Sequence, residues 1–179
     1  MKILKNILLV VVVFFALILL VAAFVPTEFA VERNVEIEKP RTEVFEYTKY
    51  LKNQEEFSVW ARIDPQMERV FTGEDGTVGF VSAWKSDHPE VGVGEQEITG
   101  IDGENRIDYQ LRFMVPFEST SDAYMTFSSI DSASTTVAWG FSGEMPYPTN
   151  LMLLFVDMEG ELGGDLQTGL NNLKGILEN

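Results

Sequence analysis

The sequence predicts an α+β protein, in which a curved antiparallel sheet is covered by a long C-terminal helix and preceded by one apolar helix. Residues 7–25 form a run of nineteen residues without a charge. Residues 68–144 alternate strand-length runs with short turns, a pattern typical of antiparallel neighbours. Residues 149–179 repeat leucines at helical spacing, so one side of this segment is apolar and can cover the sheet.

The apolar run is long enough to cross a membrane. As a helix, residues 7–25 would extend about 28 Å, close to the hydrocarbon core of about 30 Å in a bilayer. A cleaved signal peptide is the alternative, because Val21, Ala22 and Ala23 supply the small residues of a cleavage site. The run is longer than a signal peptide usually requires, so we expect a retained transmembrane anchor. Both interpretations export the domain that follows.

The basic residues around the run predict its orientation. Lys2 and Lys5 precede it, whereas no basic residue follows it closely. Because positive charge favours the cytoplasmic side, residues 1–6 are predicted to be a cytoplasmic basic start. Residues 26–28 then form a short linker, and residues 29–179 form one domain on the extracytoplasmic face of the membrane.

The composition of this domain excludes several classes of function. It carries all 28 acidic residues but only 11 of the 13 basic ones, a net charge of −17 with histidine neutral. Such a surface repels phosphate, so nucleic acid is excluded as a partner and electrostatic docking to anionic lipids is not expected. The chain has no cysteine, which excludes disulfides, thiolate catalysis and cysteine metal sites. We predict neither a metal site nor a cofactor.

The domain begins with a strand and then helices. Residues 29–37 alternate apolar and polar side chains, as a half-buried strand does, and Arg33 is the exception on the apolar face. Pro40 suits a first helical turn, and apolar residues at helical spacing continue the helix to Phe57. Residues 57–66 predict a short second helix or an irregular turn.

Six strand-length runs follow, separated by turns rich in Gly, Asp and Ser. Alternate positions are apolar in residues 107–115 and again in 137–141, so one face of the sheet should be covered by other elements and the other face exposed to solvent. In the last segment, Gly160, Gly163 and Gly164 interrupt the leucine pattern. Glycine disfavours a helix interior, so we expect either a bend there or the close approach of another backbone.

This order of elements resembles the helix-grip fold of the START-like (SRPBCC) superfamily. The resemblance is to its polyketide cyclase/dehydrase and lipid-transport branch, in the bacterial subset with an N-terminal membrane span. The resemblance lies in the segments "VERNVEIEKPRTEVFEYTKYLKNQEEFSVW", the pair Asp64 and Pro65, "GFVSAW", "YQLRFMVPFES" and "TTVAWGFSGEMPYPTNLMLLFVDMEGELGGDLQTGLNNLK". It implies a cavity between sheet and helix that takes a hydrophobic ligand.

The resemblance also implies which residues would contact that ligand. They would line the concave face of the sheet and the facing side of the helix: Trp84, Gln96, Tyr109, Phe113, Trp139 and Phe141 from the sheet, and Phe155, Met158 and Leu162 from the helix. Gln96 is the polar member, since it shares a strand face with Ile98. The same residues could instead fill a core, because alternating aromatic residues are common in cores.

No catalytic residue is predicted. His88 is the only histidine and lies in the polar run "SDHPE", where we expect a solvated loop. Ser142 in "GFSG" lacks the spacing of a hydrolase nucleophile elbow. Glu95 and Glu97 share a strand face, but they should face water if Gln96 points inward.

Three functions remain open at this point. The first is a membrane-tethered module that binds a hydrophobic or amphipathic small molecule, such as a lipid, beneath the C-terminal helix. The second is an envelope interaction module with a filled core and no ligand. The third is a cyclase-like enzyme that uses carboxylates or tyrosines in the cavity. The pattern specifies neither the ligand nor a protein partner, and cavity volume separates the second function from the others.

Overall fold

A seven-stranded antiparallel sheet and a C-terminal helix form the body of the protein, in a computed structural model that describes residues 2–179. Met1, the first residue of the predicted basic start (residues 1–6), lies outside the described residues. The elements are the helix α1 (Lys2–Ala22), the strands β1 (Glu28–Ile37), β2 (Glu68–Thr72), β3 (Val81–Lys85), β4 (Val93–Asp102), β5 (Arg106–Val115), β6 (Ser119–Ser129) and β7 (Thr135–Glu144), the helices α2 (Arg41–Thr48), α3 (Leu51–Phe57) and α4 (Trp60–Ile63), a 3-10 helix (Thr149–Leu154) and the helix α5 (Met158–Glu178).

The strand order is β1-β7-β6-β5-β4-β3-β2, so the strands from β2 to β7 form a meander and β1 pairs with the last of them. Helices α2 to α4 connect β1 to β2, with α2 against β6 and α3 against α5. Helix α5 packs against β1 and β7. This arrangement confirms the predicted α+β fold, with a curved antiparallel sheet, a C-terminal helix and an apolar N-terminal helix.

The core lies between the inner face of the sheet and α5. Leu166, Leu170 and Leu173 are fully buried, and their spacing of four and three residues places them on one side of the helix. They pack with alternate residues of the central strands, among them Tyr109 and Trp139. The leucine pattern therefore predicted the side of α5 that covers the sheet.

The C-terminal segment is not one continuous helix. A 3-10 helix ends at Leu154, and α5 begins only at Met158, where the Asp157 carboxylate accepts a hydrogen bond of 2.9 Å from the backbone N–H of Gly160. Phe155 lies in the break and is 86% exposed. The expectation that Phe155 faces the sheet is therefore wrong, because a helical pattern read across residues 149–179 does not detect the break.

Arg33, the exception on the apolar face of β1, contacts the first turn of α5. Its Nη1 lies 2.8 Å from the Glu159 carboxylate, and its Nη2 donates to the Glu159 carbonyl at 2.7 Å. A Cβ at Gly163 would overlap the guanidinium group. The interruption at Gly163 thus accommodates a side chain from the sheet, whereas we had expected a bend or a close backbone.

The end of α1 is hydrogen-bonded to the domain. Asn150, which is buried in the 3-10 helix, donates through Nδ2 to the carbonyls of Ala22 and Val25 at 2.8 and 2.9 Å. The Thr27 carbonyl accepts from the Met145 N–H at 2.8 Å, and β1 begins at Glu28, one residue earlier than predicted. The predicted linker, residues 26–28, therefore follows the domain surface closely.

A prediction follows from Gly169, where a Cβ would lie 2.8 Å from Cζ3 of the buried Trp139. Gly169→Ala should lower the free energy of unfolding by about 1–3 kcal/mol, because the Trp139 ring, packed edge-on against Phe57 and Trp60, must shift to accommodate the methyl group. The matched control is Gly164→Ala, where a Cβ would meet nothing within 4 Å. That change should raise stability by up to about 1 kcal/mol through helix propensity.

The measurement is urea unfolding of residues 26–179, which contain the whole core cluster. Equal effects of the two alanines would contradict the close contact between α5 and Trp139.

Candidate ligand-binding cavity

A cavity of about 250 Å³ lies between the inner face of the sheet, helices α3 and α4, and the N-terminal half of α5. The space is partly open at the surface, where Glu90 of its wall is exposed, so a ligand can enter it. It is slightly smaller than the roughly 300–1,000 Å³ of typical small-molecule sites. Its wall consists of Leu51, Gln54, Glu55, Ser58, Trp60, Ala61, Met67, Arg69, Ser82, Trp84, Glu90, Val91, Gln96, Leu111, Phe113, Ala123, Trp139, Phe141, Leu162 and Leu166.

Aromatic side chains form the apolar part of the wall. Trp84 packs edge-on against Phe113 with ring centroids 6.0 Å apart, and its Nε1 donates to the Val91 carbonyl at 3.2 Å. Trp139 packs edge-on against Trp60 at 6.1 Å. A hydrogen bond and close aromatic neighbours restrict the rotation of these rings, so they form a preformed surface for an apolar ligand.

Gly94 allows this arrangement. A Cβ at Gly94 would lie 2.5 Å from Cζ2 of Trp84 and 2.8 Å from the Arg112 carbonyl. Only a residue without a side chain lets the indole lie across β4. Gly94 was not predicted to have this role, since a glycine within a strand also occurs for other reasons.

A polar pair crosses the cavity wall between helix and sheet. Gln96 on β4 donates through Nε2 to Oε1 of Gln54 on α3 at 3.1 Å. The predicted polar residue of the sheet therefore does face the helices. Its partner follows from the long-range packing of α3 over β4, which no local pattern in the sequence contains.

An ion pair forms the second polar part of the wall. Arg69 Nε on β2 lies 3.0 Å from Glu55 Oε1 on α3, and Arg69 Nη2 donates to the Ala61 carbonyl at 3.2 Å. Both side chains are mostly buried. Among residues 2–179, no donor is aligned for a hydrogen bond with that buried oxygen of Glu55. Burial raises the pKa of the Glu55 carboxyl, and the charge of Arg69 opposes this effect.

Glu55 was not predicted as a wall residue, although the sequence contains a signal for it. Leu51, Gln54, Glu55 and Ser58 follow the spacing i, i+3, i+4 and i+7, which places them on one side of a helix. All four line the cavity. The prediction for this segment used only its apolar residues, so its polar residues were not assigned to a face of the helix.

Six of the predicted ligand-contacting residues line the cavity: Trp84, Gln96, Phe113, Trp139, Phe141 and Leu162. Three do not. Tyr109 is only 2% exposed and lies deeper along β5, in the core, where burial raises the pKa of its hydroxyl. Met158 is half-buried at the start of α5 and packs on the core. Phe155 lies in the break before α5. A role in binding stays a prediction for the whole set.

The other candidate groups lie outside the cavity. Glu95 and Glu97 lie on the outer face of β4 and contact Arg112, with N–O distances of 2.6 and 2.8 Å, and these contacts raise the pKa of the guanidinium. His88 is exposed in the loop between β3 and β4. Within the described residues, no cluster of three or more Asp, Glu and His side chains is placed to hold a metal ion.

Comparisons with known proteins support the fold. No family model and no curated protein matches the sequence. Among solved structures, norcoclaurine synthase from Thalictrum flavum, in complex with dopamine and hydroxybenzaldehyde, superimposes with a TM-score of 0.59 at 8% identity, covering 84% of this chain and 87% of that one. A Thermobifida fusca protein superimposes with a TM-score of 0.57 at 19% identity, covering 83% of this chain and 92% of that one. A Nitrosospira multiformis protein superimposes with a TM-score of 0.57 at 14% identity, covering 83% of this chain and 96% of that one. The chain thus shares the fold of these structures, which is the helix-grip fold predicted from the sequence.

The raised pKa of Glu55 predicts a pH dependence of stability. Its protonated form is favoured on folding, so its contribution is fully present below the ordinary glutamate pKa of about 4.3 and is lost as the pH rises through the folded value. Glu55→Gln removes this titration. The stability of the variant relative to the parent should therefore increase as the pH rises above about 4.3.

Urea unfolding of residues 26–179 between acidic and neutral pH measures this difference. Gln54→Ala is the control, because it changes the same wall without removing a titratable group. A difference between Glu55→Gln and parent that stays constant or decreases with pH would contradict the preference for a protonated Glu55.

Proposed function

We propose that the protein is a membrane-tethered module that binds a hydrophobic or amphipathic small molecule, such as a lipid, in the cavity beneath α5. The observation that carries the proposal is the cavity itself, about 250 Å³ in volume and walled by aromatic residues. Its polar side chains are the pairs Gln54 with Gln96 and Glu55 with Arg69, together with Ser58, Ser82 and Glu90. A ligand with an apolar body and one polar group matches this distribution.

The structural neighbours support binding of a small molecule in this fold. The norcoclaurine synthase structure contains dopamine and hydroxybenzaldehyde, which are small aromatic compounds. Its identity to this chain is too low to transfer a substrate, so the support concerns the class of ligand only. The amides of Gln54 and Gln96 in the wall supply hydrogen-bonding groups for the polar end of such a ligand.

Helix α1 supports the tether. Ile3–Ala22 is long and apolar enough to cross a membrane, and its side chains are almost all exposed rather than packed on the domain. A helix that is apolar on all sides requires an apolar surrounding. Lys2 and Lys5 lie at the N-terminal end of the helix, before its uncharged run of residues 7–25, which favours an extracytoplasmic position for the domain.

One observation favours an enzyme as the second candidate. Glu55 is a cavity carboxyl whose pKa burial raises, which is the property of a general acid or base. A cyclase-like reaction would then require Glu55 for turnover, whereas a binding module would require only the shape of the cavity. The interaction module with a filled core is disfavoured by the cavity volume.

The ligand-binding proposal is tested at Ala123, a buried residue of the cavity wall on β6. Ala123→Leu should fill part of the space and weaken binding of a fluorescent fatty acid to residues 26–179 by at least about tenfold. The matched control is Ala138→Leu, on the outer face of β7, which should change affinity less than about twofold. Equal affinities for parent and both variants, or no binding by the parent, would contradict a ligand site in this cavity.

The tether and its orientation are tested in cells. We expect the full chain to remain in the membrane fraction after alkaline extraction and to keep residues 1–25 in the mature protein. Protease added to intact spheroplasts should then digest the domain. A mature N-terminus at Phe24 would contradict the anchor, and protection of the domain from protease would contradict the orientation.

A further inference from the structure

One end of the sheet carries the turn between β5 and β6, the end of β7 and the end of α1. The strand registers place them together, since Phe113 pairs with Ser119, Ser121 with Gly143, and Glu144 with Glu28. The 3-10 helix follows β7 at this same end. The opposite end of the sheet carries the turn between β6 and β7, where Ser129 pairs with Thr135.

Large apolar side chains protrude at this end. Phe117 in the turn is 82% exposed, Phe155 is 86% exposed, and Met152 and Leu154 of the 3-10 helix are each 55% exposed. We call these four residues the apolar rim. Single exposed apolar residues are common on proteins, whereas several large ones at one end of a domain are typical of a surface that contacts another apolar phase.

The apolar rim is linked to the end of α1. Asn150 lies in the same 3-10 helix as Met152 and Leu154, and its side chain binds the carbonyls of Ala22 and Val25. These two hydrogen bonds hold the 3-10 helix against the last turn of α1. If α1 crosses the bilayer, the apolar rim lies at the level where the helix leaves the hydrocarbon.

The cavity adjoins this end of the domain. A second hollow of about 230 Å³ is lined by Val115, Pro116 and Phe117 of the turn. It shares Glu90, Val91 and Phe113 with the wall of the ligand cavity. The hollow therefore lies between Phe117 of the apolar rim and the ligand cavity.

We propose that the apolar rim inserts into the bilayer surface next to α1, so that the cavity opens towards lipid rather than towards water. This proposal rests on the membrane tether proposed above. The domain carries a net charge of −17, and Glu90 and Glu118 lie beside the rim. Attraction to anionic headgroups therefore does not drive the contact, and burial of the apolar side chains does.

The absence of cysteine from the sequence permits single-site spin labelling of the full chain. Phe117→Cys and Phe155→Cys place nitroxides on the rim, and Met152→Cys provides a third position should either fail to fold. Ile130→Cys is the matched control, because Ile130 is an apolar residue, 52% exposed, in the turn at the opposite end of the sheet. Val12→Cys reports whether α1 itself lies in the bilayer.

The labelled chains are reconstituted in phosphatidylcholine vesicles, and the collision rates of each nitroxide with oxygen and with a water-soluble nickel chelate are compared. Oxygen concentrates in lipid. The labels at residues 12, 117 and 155 should favour oxygen over nickel at least about threefold more than the label at residue 130 does.

Each other outcome overturns a definite part of the proposal. A lipid-like label at residue 12 with water-like labels at 117 and 155 overturns insertion of the rim but leaves the tether intact. Labels at 117 and 155 that are shielded from both reagents show that protein covers the rim, which also overturns it. A water-like label at residue 12 overturns the tether and the insertion together.

Discussion

The contact between α5 and the inner face of the sheet is the constraint on which the rest of the structure depends. A sheet that is apolar on one face must cover that face, and α5 supplies the leucines that do so. The cover is close only where Gly169 permits the helix to approach Trp139. Beyond this contact Leu170 and Leu173 are fully buried, and the C-terminal part of α5 covers a filled core.

Near its N-terminus, α5 contacts the sheet differently. Arg33 reaches from β1 to the first turn of α5 and binds Glu159, so a charged side chain takes a position that an apolar one would hold in a core. A half-buried guanidinium is tolerated there because its hydrogen bonds are satisfied by the carboxylate and the carbonyl. The cavity lies on this half of the helix, where Leu162 and Leu166 form part of its wall.

The polar groups of the cavity are also paired with one another. Gln54 with Gln96, and Glu55 with Arg69, are pairs in which one member comes from α3 and the other from a strand. Each pair joins the helical layer to the sheet while leaving an open space between them. Burying an unpaired charge would be costly, so pairing allows polar residues to remain in a largely apolar wall. The connection of Asn150 to the end of α1 is of the same kind, because buried carbonyls find a donor there.

The sequence by itself determined the periodic features of this protein. Alternation along β5 and β7 identified Phe113, Trp139 and Phe141 as inward-facing, and the leucines of α5 identified the side of the helix that covers the sheet, because local periodicity sets the direction of each side chain. The apolar character of α1 was equally evident. Tertiary structure decided the rest. The break that exposes Phe155, the pairing of Glu55 with Arg69, and the contact of Arg33 with α5 all join segments that are distant in the chain or depend on where a helix starts. Those features follow from how the layers pack in space, and a pattern along the chain does not contain that information.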